Sequence, residues 1–428
     1  MTEIREPIAV IGTGYVGLVT AAGFAELGND VWCVDIDQAK IDGLNRGEIP
    51  IYEPGLAESV AASAGRLHFT TNLAPALEHA RLLFVAVGTP PTYSGDADLS
   101  AVNAVVDAMP ASEPRALVMK STVPVGTGEA IRRVLDATAK SNFSYVSCPE
   151  FLKEGTALAD FRHPDRVVVG DAGDWGGDAV SELYAPLGAP IVRTDVASAE
   201  MVKLAANAFL ATKISFINEI ANVCEETGAD VLEVAKGMGL DQRIGQHFLR
   251  PGIGYGGSCF PKDVSALKLL AGNTGYHFQL LTAVIEVNEL QKRRVIAKLQ
   301  KHLGSLVGKT VALLGLAFKA ETDDMREASS LVLAARLQGS GARVRAYDPI
   351  ATNEARKLMS GVELADSALE AVAGADAVVL VTEWPEFADL DWAQVAAAMS
   401  GNVLIDGRNF VDRDAAQAAG FEYEGIGR

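Results

Sequence analysis

Short apolar runs separated by longer stretches of mixed character dominate the first 195 residues. Each run has the length of a buried strand, and helical patterns lie between most of them. The runs are 8–11, 31–36, 67–69, 82–87, 116–119, 145–147 and 167–169. Strands that alternate with helices predict a parallel sheet covered by helices on both faces.

The pattern changes in the middle of the chain and then returns. From 198 to 227 apolar residues recur at helical spacing, Gly228 ends the run, and helical pattern resumes from 261 to 303. Strand–helix alternation begins again at Thr310, with apolar runs at 310–314, 344–347, 377–382 and 403–405. The sequence therefore predicts two Rossmann-like doubly wound parallel-sheet domains, 1–197 and 304–428, joined by a central long-helix segment, 198–303.

Composition limits the partners of such a protein. The 428 residues include 37 Lys and Arg against 55 Asp and Glu, so the net charge is −18, and no long basic run occurs. Nucleic acids and anionic membranes attract basic surfaces, so we expect neither as a partner. The chain has no run of 18 apolar residues and no signal-peptide pattern, and its four cysteines form no Cys-x-x-Cys pair. We expect a cytoplasmic protein without a disulfide framework or a metal site.

A glycine motif follows the first predicted strand. Gly12, Gly14 and Gly17 have the G-x-G-x-x-G spacing, and Asp35 ends the second predicted strand. In this context Gly12 makes a tight turn, Gly14 lets a pyrophosphate approach, and Gly17 lets helix and strand pack closely. An acid at position 35 accepts hydrogen bonds from ribose hydroxyls and repels a 2′-phosphate. The motif predicts an NAD site, with an ordinary glycine turn as the alternative.

A second glycine-rich run, 252–257, leads into Ser258-Cys259-Phe260-Pro261-Lys262-Asp263. A proline in the first turn of a helix is favourable, so Cys259 is predicted just before a helix N-terminus, with Lys262 nearby. Both features lower the pKa of a thiol and favour the nucleophilic thiolate. The alternative is a small buried hydrophobe, which suits Cys33 and Cys224 better.

Lys203 and Asn207 lie four residues apart on the predicted long helix and therefore share one face. A lysine beside an amide can stabilise an oxyanion. Spacing alone favours an exposed lysine and a helix-surface asparagine.

Several other polar residues follow predicted strand ends. Glu150 and Glu154 could position water or a hydroxyl, or they could simply begin a surface helix. Thr89 and Thr122 also follow strand ends, which is where open parallel sheets bind ligands.

Together these segments resemble the UDP-glucose 6-dehydrogenase family, within the UDP-glucose/GDP-mannose dehydrogenases, over nearly the whole chain. The motifs are GTGYVGLVTAAGFAELG, VGTPPT, KSTVPVGT, PEFLKEGTA, AEMVKLAANAFLATKISFINE, DQRIGQHFLRPGIGYGGSCFPKDV, GLAFKAETDDMRE and IDGRNF. The resemblance implies an NAD-dependent four-electron oxidation of UDP-glucose to UDP-glucuronate, with two NADH per turnover. It proceeds through a thiohemiacetal and a thioester on Cys259, without a metal.

The resemblance also implies roles for individual residues. The implied catalytic residues are Cys259 (nucleophile), Lys203 and Asn207 (alkoxide or oxyanion), Asp263 (orienting Lys203 or water), Thr122 and Glu150 (holding water). The implied cofactor-binding residues are Gly12, Gly14, Tyr15, Val16, Gly17, Asp35, Lys40, Thr89, Thr122, Glu154, Lys262 and Arg326. The implied substrate-binding residues are Glu150, Phe151, Leu152, Lys203, Asn207, Arg243, Phe248, Leu249, Arg250, Gly252, Gly256 and Lys319.

In this family the long helix forms a homodimer interface, and the alternative is a simple interdomain strut. A GDP-mannose 6-dehydrogenase with the same mechanism is the nearest alternative, because it shares Ser-Cys and Pro-Lys-Asp, and Pro251 also suits it. A UDP-N-acetylhexosamine dehydrogenase is less favoured, because those enzymes have His before the cysteine and Val-Asp after the proline. This sequence has Ser258 and Lys262-Asp263 at those positions. A noncatalytic NAD-binding regulator would need neither Cys259 nor Lys203, and a two-electron hydroxyacid dehydrogenase would need no cysteine.

Overall fold

The structure is a computed structural model that describes residues 6–93, 95–110, 114–138, 140 and 142–428. The chain divides into two compact units. The first unit comprises Met1–Ala206 and Leu269–Gly275, and the second comprises Asn207–Lys268 and Tyr276–Arg428. The division into segments 1–197, 198–303 and 304–428 stays a prediction.

The first unit is built on an eight-stranded sheet. Its strands are β1 Ile8–Ile11, β2 Val31–Val34, β3 Leu67–Thr70, β4 Leu82–Val85, β5 Arg115–Met119, β6 Phe143–Ser147, β7 Val167–Gly170 and β8 Ile191–Thr194. Its helices are α1 Tyr15–Glu26, α2 Gln38–Asn45, α3 Leu56–Ala62, α4 Leu73–His79, α5 Ser100–Ala108, α6 Thr127–Ala137, α7 Ala157–Arg162 and α8 Trp175–Tyr184, with 3-10 turns at Ala64–Arg66 and Ala185–Leu187.

The strand order is β3-β2-β1-β4-β5-β6-β7-β8, which contains the 3-2-1-4-5-6 order of dinucleotide-binding sheets. Strands β1, β4 and β5 are buried along their whole length, because helices cover both faces of the sheet. Two apolar clusters fill the two sides, one around Phe24 and Phe84 and the other around Leu83 and Leu117.

One part of this sheet differs from the wholly parallel arrangement that the pattern predicts. Strand β7 pairs antiparallel with β6 through Ser147 and Gly170, and β8 is parallel to β7. Helix α7, between β6 and β7, has six residues. The connection 148–166 is long enough for a parallel crossover, but such a crossover usually contains a helix that covers the sheet. Phe161 of α7 instead packs against Gly23 of α1, so α7 is held on the first helix.

A 32-residue helix, α9 Val196–Thr227, begins in the first unit and ends in the second. The central segment also contains α10 Val231–Gly239, α11 Phe260–Asn273, α12 Gln279–Gln291 and α13 Arg294–Leu303. Within the part of the chain that the structure describes, no helix is both long enough and apolar enough to cross a membrane.

The second unit contains a six-stranded, wholly parallel sheet in the order β11-β10-β9-β12-β13-β14. The elements are β9 Thr310–Leu314, α14 Ser329–Gly339, β10 Arg343–Tyr347, α15 Thr352–Leu358, β11 Glu363–Leu364, α16 Ala368–Val372, β12 Ala377–Leu380, α17 Pro385–Ala388, α18 Trp392–Ala398, β13 Val403–Asp406, α19 Arg413–Ala418 and β14 Glu422–Glu424. This order is again 3-2-1-4-5-6. The predicted fold class, two doubly wound domains and a long central helix, is confirmed.

Candidate active site

The glycine motif forms the turn between β1 and α1. Gly12 has φ +98°, and a Cβ there would lie 2.6 Å from the carbonyl oxygen of Ala86. A Cβ on Gly17 would collide with the carbonyl oxygen of Gly12, whereas a Cβ on Gly14 would meet no described atom within 4 Å. Gly12 and Gly17 therefore allow the chain to pack, and Gly14 borders open space at the start of α1. This geometry fits a pyrophosphate held by backbone N–H groups.

Asp35 follows β2 and faces the glycine turn. Its Oδ2 accepts hydrogen bonds from the Thr13 backbone N–H (2.9 Å) and Oγ1 (2.8 Å), and it pairs with Lys40 Nζ at 3.0 Å. Burial opposes ionisation, but these bonds and one from the Asp37 N–H bring the pKa of Asp35 below its ordinary value. Asp35 is thus an ionised acceptor, which suits ribose hydroxyls and disfavours a 2′-phosphate.

Other predicted cofactor residues lie at the ends of neighbouring strands. Thr89 Oγ1 donates to the carbonyl oxygen of Thr122 at 2.9 Å, which ties the loops after β4 and β5 together. Tyr15 accepts a hydrogen bond from the Gly155 N–H at 2.7 Å, so the glycine turn contacts the loop that carries Glu154. Glu154 is 9% exposed. Val16 is half-buried in the first turn of α1.

A buried ion pair joins α9 to the loop after β6. Lys203 Nζ lies 2.8 Å from Glu150 Oε1, and each side chain is 4% exposed. Glu150 Oε2 also accepts from the Leu152 N–H at 2.6 Å, and Lys203 lies 5.4 Å from the ring centre of Phe151. Burial alone would raise the pKa of Glu150, yet the Lys203 ammonium holds it below the ordinary value. Lys203 is therefore not the exposed lysine that its spacing favoured.

In the second unit, Asp263 connects two other predicted residues. Asn207 Nδ2 donates to Asp263 Oδ2 at 2.6 Å, and Lys262 Nζ pairs with Asp263 Oδ1 at 2.8 Å. Asp263 is 1% exposed and Asn207 6%. The position of Lys262 near Cys259 predicts an effect on the pKa of the thiol, and the family resemblance implies that Asp263 orients Lys203 or water. Both roles stay predictions.

Cys259 immediately precedes α11, as the position of Pro261 predicts. The carbonyl oxygen of Cys259 accepts from the Asp263 N–H at 2.9 Å, which closes the first turn of the helix. Its Sγ lies 3.5 Å from Ser258 Oγ. Cys33, Cys148 and Cys224 are buried, and Cys259 is partly exposed. Among the four cysteines, accessibility and a helix N-terminus coincide at Cys259.

The predicted substrate loop before Cys259 is mostly buried. Leu249 is 4% exposed, and residues 251–257 are all buried. Phe248 has φ +63°, a conformation that costs a bulky residue free energy. A Cβ on Gly252 would lie 3.1 Å from the carbonyl oxygen of Gly407, and one on Gly256 would collide with that of Glu327.

The predicted cations of the second unit have different surroundings. Arg243 pairs with Asp241 at 2.7 Å and its side chain is 89% exposed. Arg326 pairs with Asp324 at 2.6 Å and is 63% exposed. Arg250 donates a hydrogen bond to the carbonyl oxygen of Asn409 at 3.4 Å. Lys319 Nζ lies 5.6 Å from the ring centre of Phe318.

Arg408 is a further residue of this region, and the sequence did not predict a role for it. Its guanidinium donates to the carbonyl oxygens of Val381 (2.8 Å) and Gly254 (3.1 Å) and lies 3.4 Å from Glu383. It therefore links the loop before Cys259 to the loop after β12. The available signal was its place two residues after β13, at the carboxyl edge of a parallel sheet.

Asp348, at the end of β10, occupies the position in the second sheet that Asp35 has in the first. It accepts hydrogen bonds from the Leu316 N–H (2.6 Å), the Ala317 N–H (3.0 Å) and the Trp384 indole (3.0 Å), and it is 1% exposed. The carboxylate of Asp348 is therefore occupied by the turn after β9. This turn also lacks the glycine spacing of the first unit, so it is not a second copy of the NAD motif.

Three family models match successive parts of the chain. The NAD binding domain of the UDP-glucose/GDP-mannose dehydrogenase family matches residues 6–188. The central domain of the same family matches residues 197–290, and its UDP binding domain matches residues 312–413.

Relatives match over nearly the full length. A UDP-glucose 6-dehydrogenase of Pseudomonas aeruginosa is 48% identical over 98% of this chain and 97% of its own length. One from Bacillus subtilis is 47% identical over 98% of this chain and 93% of its own length. The solved structure of a UDP-glucose dehydrogenase from Pyrobaculum islandicum superposes with a TM-score of 0.92 at 38% identity, covering 99% of this chain and 98% of that one. This chain therefore belongs to the UDP-glucose/GDP-mannose dehydrogenase family and is an NAD-dependent dehydrogenase.

Proposed function

We propose that this enzyme oxidises the C6 alcohol of UDP-glucose to the carboxylate of UDP-glucuronate in two successive two-electron steps, with Cys259 as the nucleophile. The observation that carries the proposal is the position of Cys259 at the start of α11, in partly exposed surroundings. NAD supplies the hydride acceptor in both oxidations.

The first step needs a base and a stabilised alkoxide. The C6 hydroxyl loses a proton to water held by Thr122 and Glu150, and C6 loses a hydride, which leaves an aldehyde. The Lys203 ammonium, oriented by Glu150 at 2.8 Å, stabilises the negative oxygen. Because the pair is buried, this charge acts in a medium of lower dielectric than water.

The second step needs a covalent bond to sulfur. The Cys259 thiolate adds to the aldehyde carbon and forms a thiohemiacetal, which loses a second hydride to become a thioester. Water then attacks the thioester carbon and gives up its two protons to solvent, the C–S bond breaks, and the Cys259 thiolate and the carboxylate of UDP-glucuronate are formed. Asn207 has two protons on Nδ2, and Asp263 accepts one of them. We assign the other N–H to the oxyanion of the thiohemiacetal and of the hydrolysis step.

The sugar nucleotide is assigned to the second unit. A UDP binding domain matches residues 312–413, and relatives 47–48% identical are named as UDP-glucose 6-dehydrogenases. We assign Lys319, Arg250 and the loop from Phe248 to Gly256 to substrate contacts. These names favour UDP-glucose over GDP-mannose.

We also propose a homodimer through α9. Phe209, Phe216 and Val223 are 67%, 48% and 57% exposed and are spaced by seven residues. Large apolar side chains repeated at seven-residue spacing form one stripe along a helix, and such a stripe is stable when another helix covers it.

The number of NADH molecules released per UDP-glucose consumed tests the reaction. We expect two NADH at limiting UDP-glucose and little reaction with GDP-mannose at the same concentration. One NADH per sugar nucleotide would show that oxidation stops at the aldehyde and would refute the covalent mechanism. Faster oxidation of GDP-mannose than of UDP-glucose would refute the substrate assignment.

A further inference from the structure

The backbone of residues 252–257, just before Cys259, is irregular and entirely buried. A buried N–H or carbonyl group without a partner is costly, so such a segment needs hydrogen bonds from elsewhere. Two of them are backbone bonds, from the Ile253 N–H to Gly407 and from the Gly257 N–H to Arg326, and Arg408 donates to the Gly254 carbonyl oxygen. Side chains of the second unit on α9, α12 and α14 provide others. Three of these side chains are amides, which we call the amide clamp: Asn218, Asn288 and Gln291.

Asn288 of α12 binds both polar groups of one loop residue. Its Oδ1 accepts from the Tyr255 N–H at 2.8 Å, and its Nδ2 donates to the Tyr255 carbonyl oxygen at 3.1 Å. A Cβ on Gly254, which has φ +86°, would lie 2.8 Å from Asn288 Oδ1. The amide therefore lies directly against the loop backbone. Asn288 is 4% exposed, so solvent cannot easily replace these bonds.

The other two amides together bind both polar groups of Gly252, one amide to each. Asn218 Oδ1 accepts from the Gly252 N–H at 2.9 Å, and Gln291 Nε2 donates to the Gly252 carbonyl oxygen at 2.9 Å. Asn218 is 0% exposed and Gln291 1%. Between the two clamped residues, Ser329 Oγ donates to the Ile253 carbonyl oxygen at 2.9 Å.

We propose that Asn218, Asn288 and Gln291 are positioning residues that hold the loop in one conformation, and through it Cys259 and the sugar-nucleotide contacts. This inference rests on the proposed function for its kinetic consequences. Amides suit the task because each has a donor and an acceptor for backbone groups and adds no charge beside a thiolate and an anionic substrate. A loop fixed before substrate arrives does not lose conformational entropy in the transition state.

A purely stabilising role would predict lost thermal stability without a specific change in catalysis. Asn29 of the first unit is a matched control, because its Nδ2 donates to the Phe24 carbonyl oxygen at 3.0 Å and it is 4% exposed. Asn29→Ala also removes a buried amide that binds backbone.

The test compares full-length wild type, Asn288→Ala and Asn29→Ala by hydrogen–deuterium exchange and steady-state kinetics. We expect faster exchange of peptides covering 252–257 in Asn288→Ala alone. For that variant kcat/KM for UDP-glucose should fall by about 10- to 100-fold, while the KM for NAD changes by less than about twofold. Should Asn288→Ala fail to fold, Gln291→Met keeps side-chain volume, removes one clamp bond, and should show the same pattern with a smaller loss.

Three results for Asn288→Ala would overturn the amide clamp. The first is unchanged exchange of 252–257, and the second is faster exchange with unaltered kinetics. The third is a loss of kcat/KM for both UDP-glucose and NAD that equals the loss in Asn29→Ala. The exchange measurement needs no substrate. Wild type that oxidises no UDP-glucose would refute the proposed function, whereas unchanged exchange would refute the clamp itself.

Discussion

Replacement of Lys203 by methionine should show how much free energy of unfolding is lost when the buried carboxylate of Glu150 has no cation beside it. Lys203 and Glu150 lie 2.8 Å apart and both side chains are 4% exposed. Lys203→Met keeps much of the side-chain volume but leaves a carboxylate in a buried position. Breaking a buried pair by removing one partner costs about 3–5 kcal/mol of unfolding free energy.

The destabilisation of Lys203→Met should depend on pH, because a protonated Glu150 no longer places an unpaired charge in the buried position. In wild type the pKa of Glu150 is below its ordinary value of 4.5, so its stabilising contribution is complete above that value and is lost as pH falls below it. In Lys203→Met, burial without the cation raises this pKa, and the sign reverses. Stability of the variant then falls as pH rises, by about 1.4 kcal/mol per pH unit until the raised pKa is passed.

Urea unfolding of both proteins at pH 5 and pH 8 provides the measurement. We expect a loss of about 1 kcal/mol at pH 5 and about 3–5 kcal/mol at pH 8. Lys236 pairs with Glu233 at 3.6 Å with both side chains at least 70% exposed, so Lys236→Met is the control and should cost less than about 1 kcal/mol at either pH. An equal loss at both pH values, or one no larger than that of the control, would refute the reasoning.

Four further changes test other parts of the molecule. Cys259→Ser should still bind NAD and UDP-glucose but lose at least about 10³-fold in turnover, because an oxygen ester hydrolyses less readily than a thioester; full turnover contradicts the mechanism. Asp35→Asn should reduce the NAD to NADP ratio of kcat/KM at least about tenfold, and an unchanged ratio contradicts the ribose role. Burial raises the pKa of Glu200 to about 7, against the hydrogen bonds that its carboxylate accepts from the Gly126 and Gly128 N–H groups. The free energy of unfolding should therefore fall by up to about 3 kcal/mol as pH rises from 4.5 to 7. Glu200→Gln should remove that slope in urea unfolding, and persistence of the slope assigns it elsewhere. Phe216→Asp should yield monomers in light scattering, since it places a charge in the apolar stripe of α9, and an intact dimer would exclude that interface.

Much of the fold was readable from the order of residues. The sequence predicts β1 at Ile8–Ile11 and β9 at Thr310–Leu314 with the bounds that the structure shows, because strands covered on both faces are continuously apolar. The edge strands β8 and β14 were missed. Residues 192 and 193 of β8 and 422 of β14 are exposed, so neither strand has an apolar run to detect.

The features of the candidate site also differ in whether the sequence predicts them. The glycine turn and the position of Cys259 before a helix depend on backbone conformations within a few residues, so their spacing predicts them. Spacing could not show that Lys203 is buried against Glu150, since 53 residues separate them.

The sequence by itself determined the buried strands, the long central helix and the short motifs with special backbone conformations, because these follow from local periodicity and from glycine and proline. Only the tertiary structure decided the antiparallel joining of β7 and the partners of buried polar groups. Asp263 binds Asn207 across 56 positions, and Asn288 binds Tyr255 across 33. A buried polar group must find whatever partner the packing brings to it, and that partner is set by the fold and not by distance along the chain.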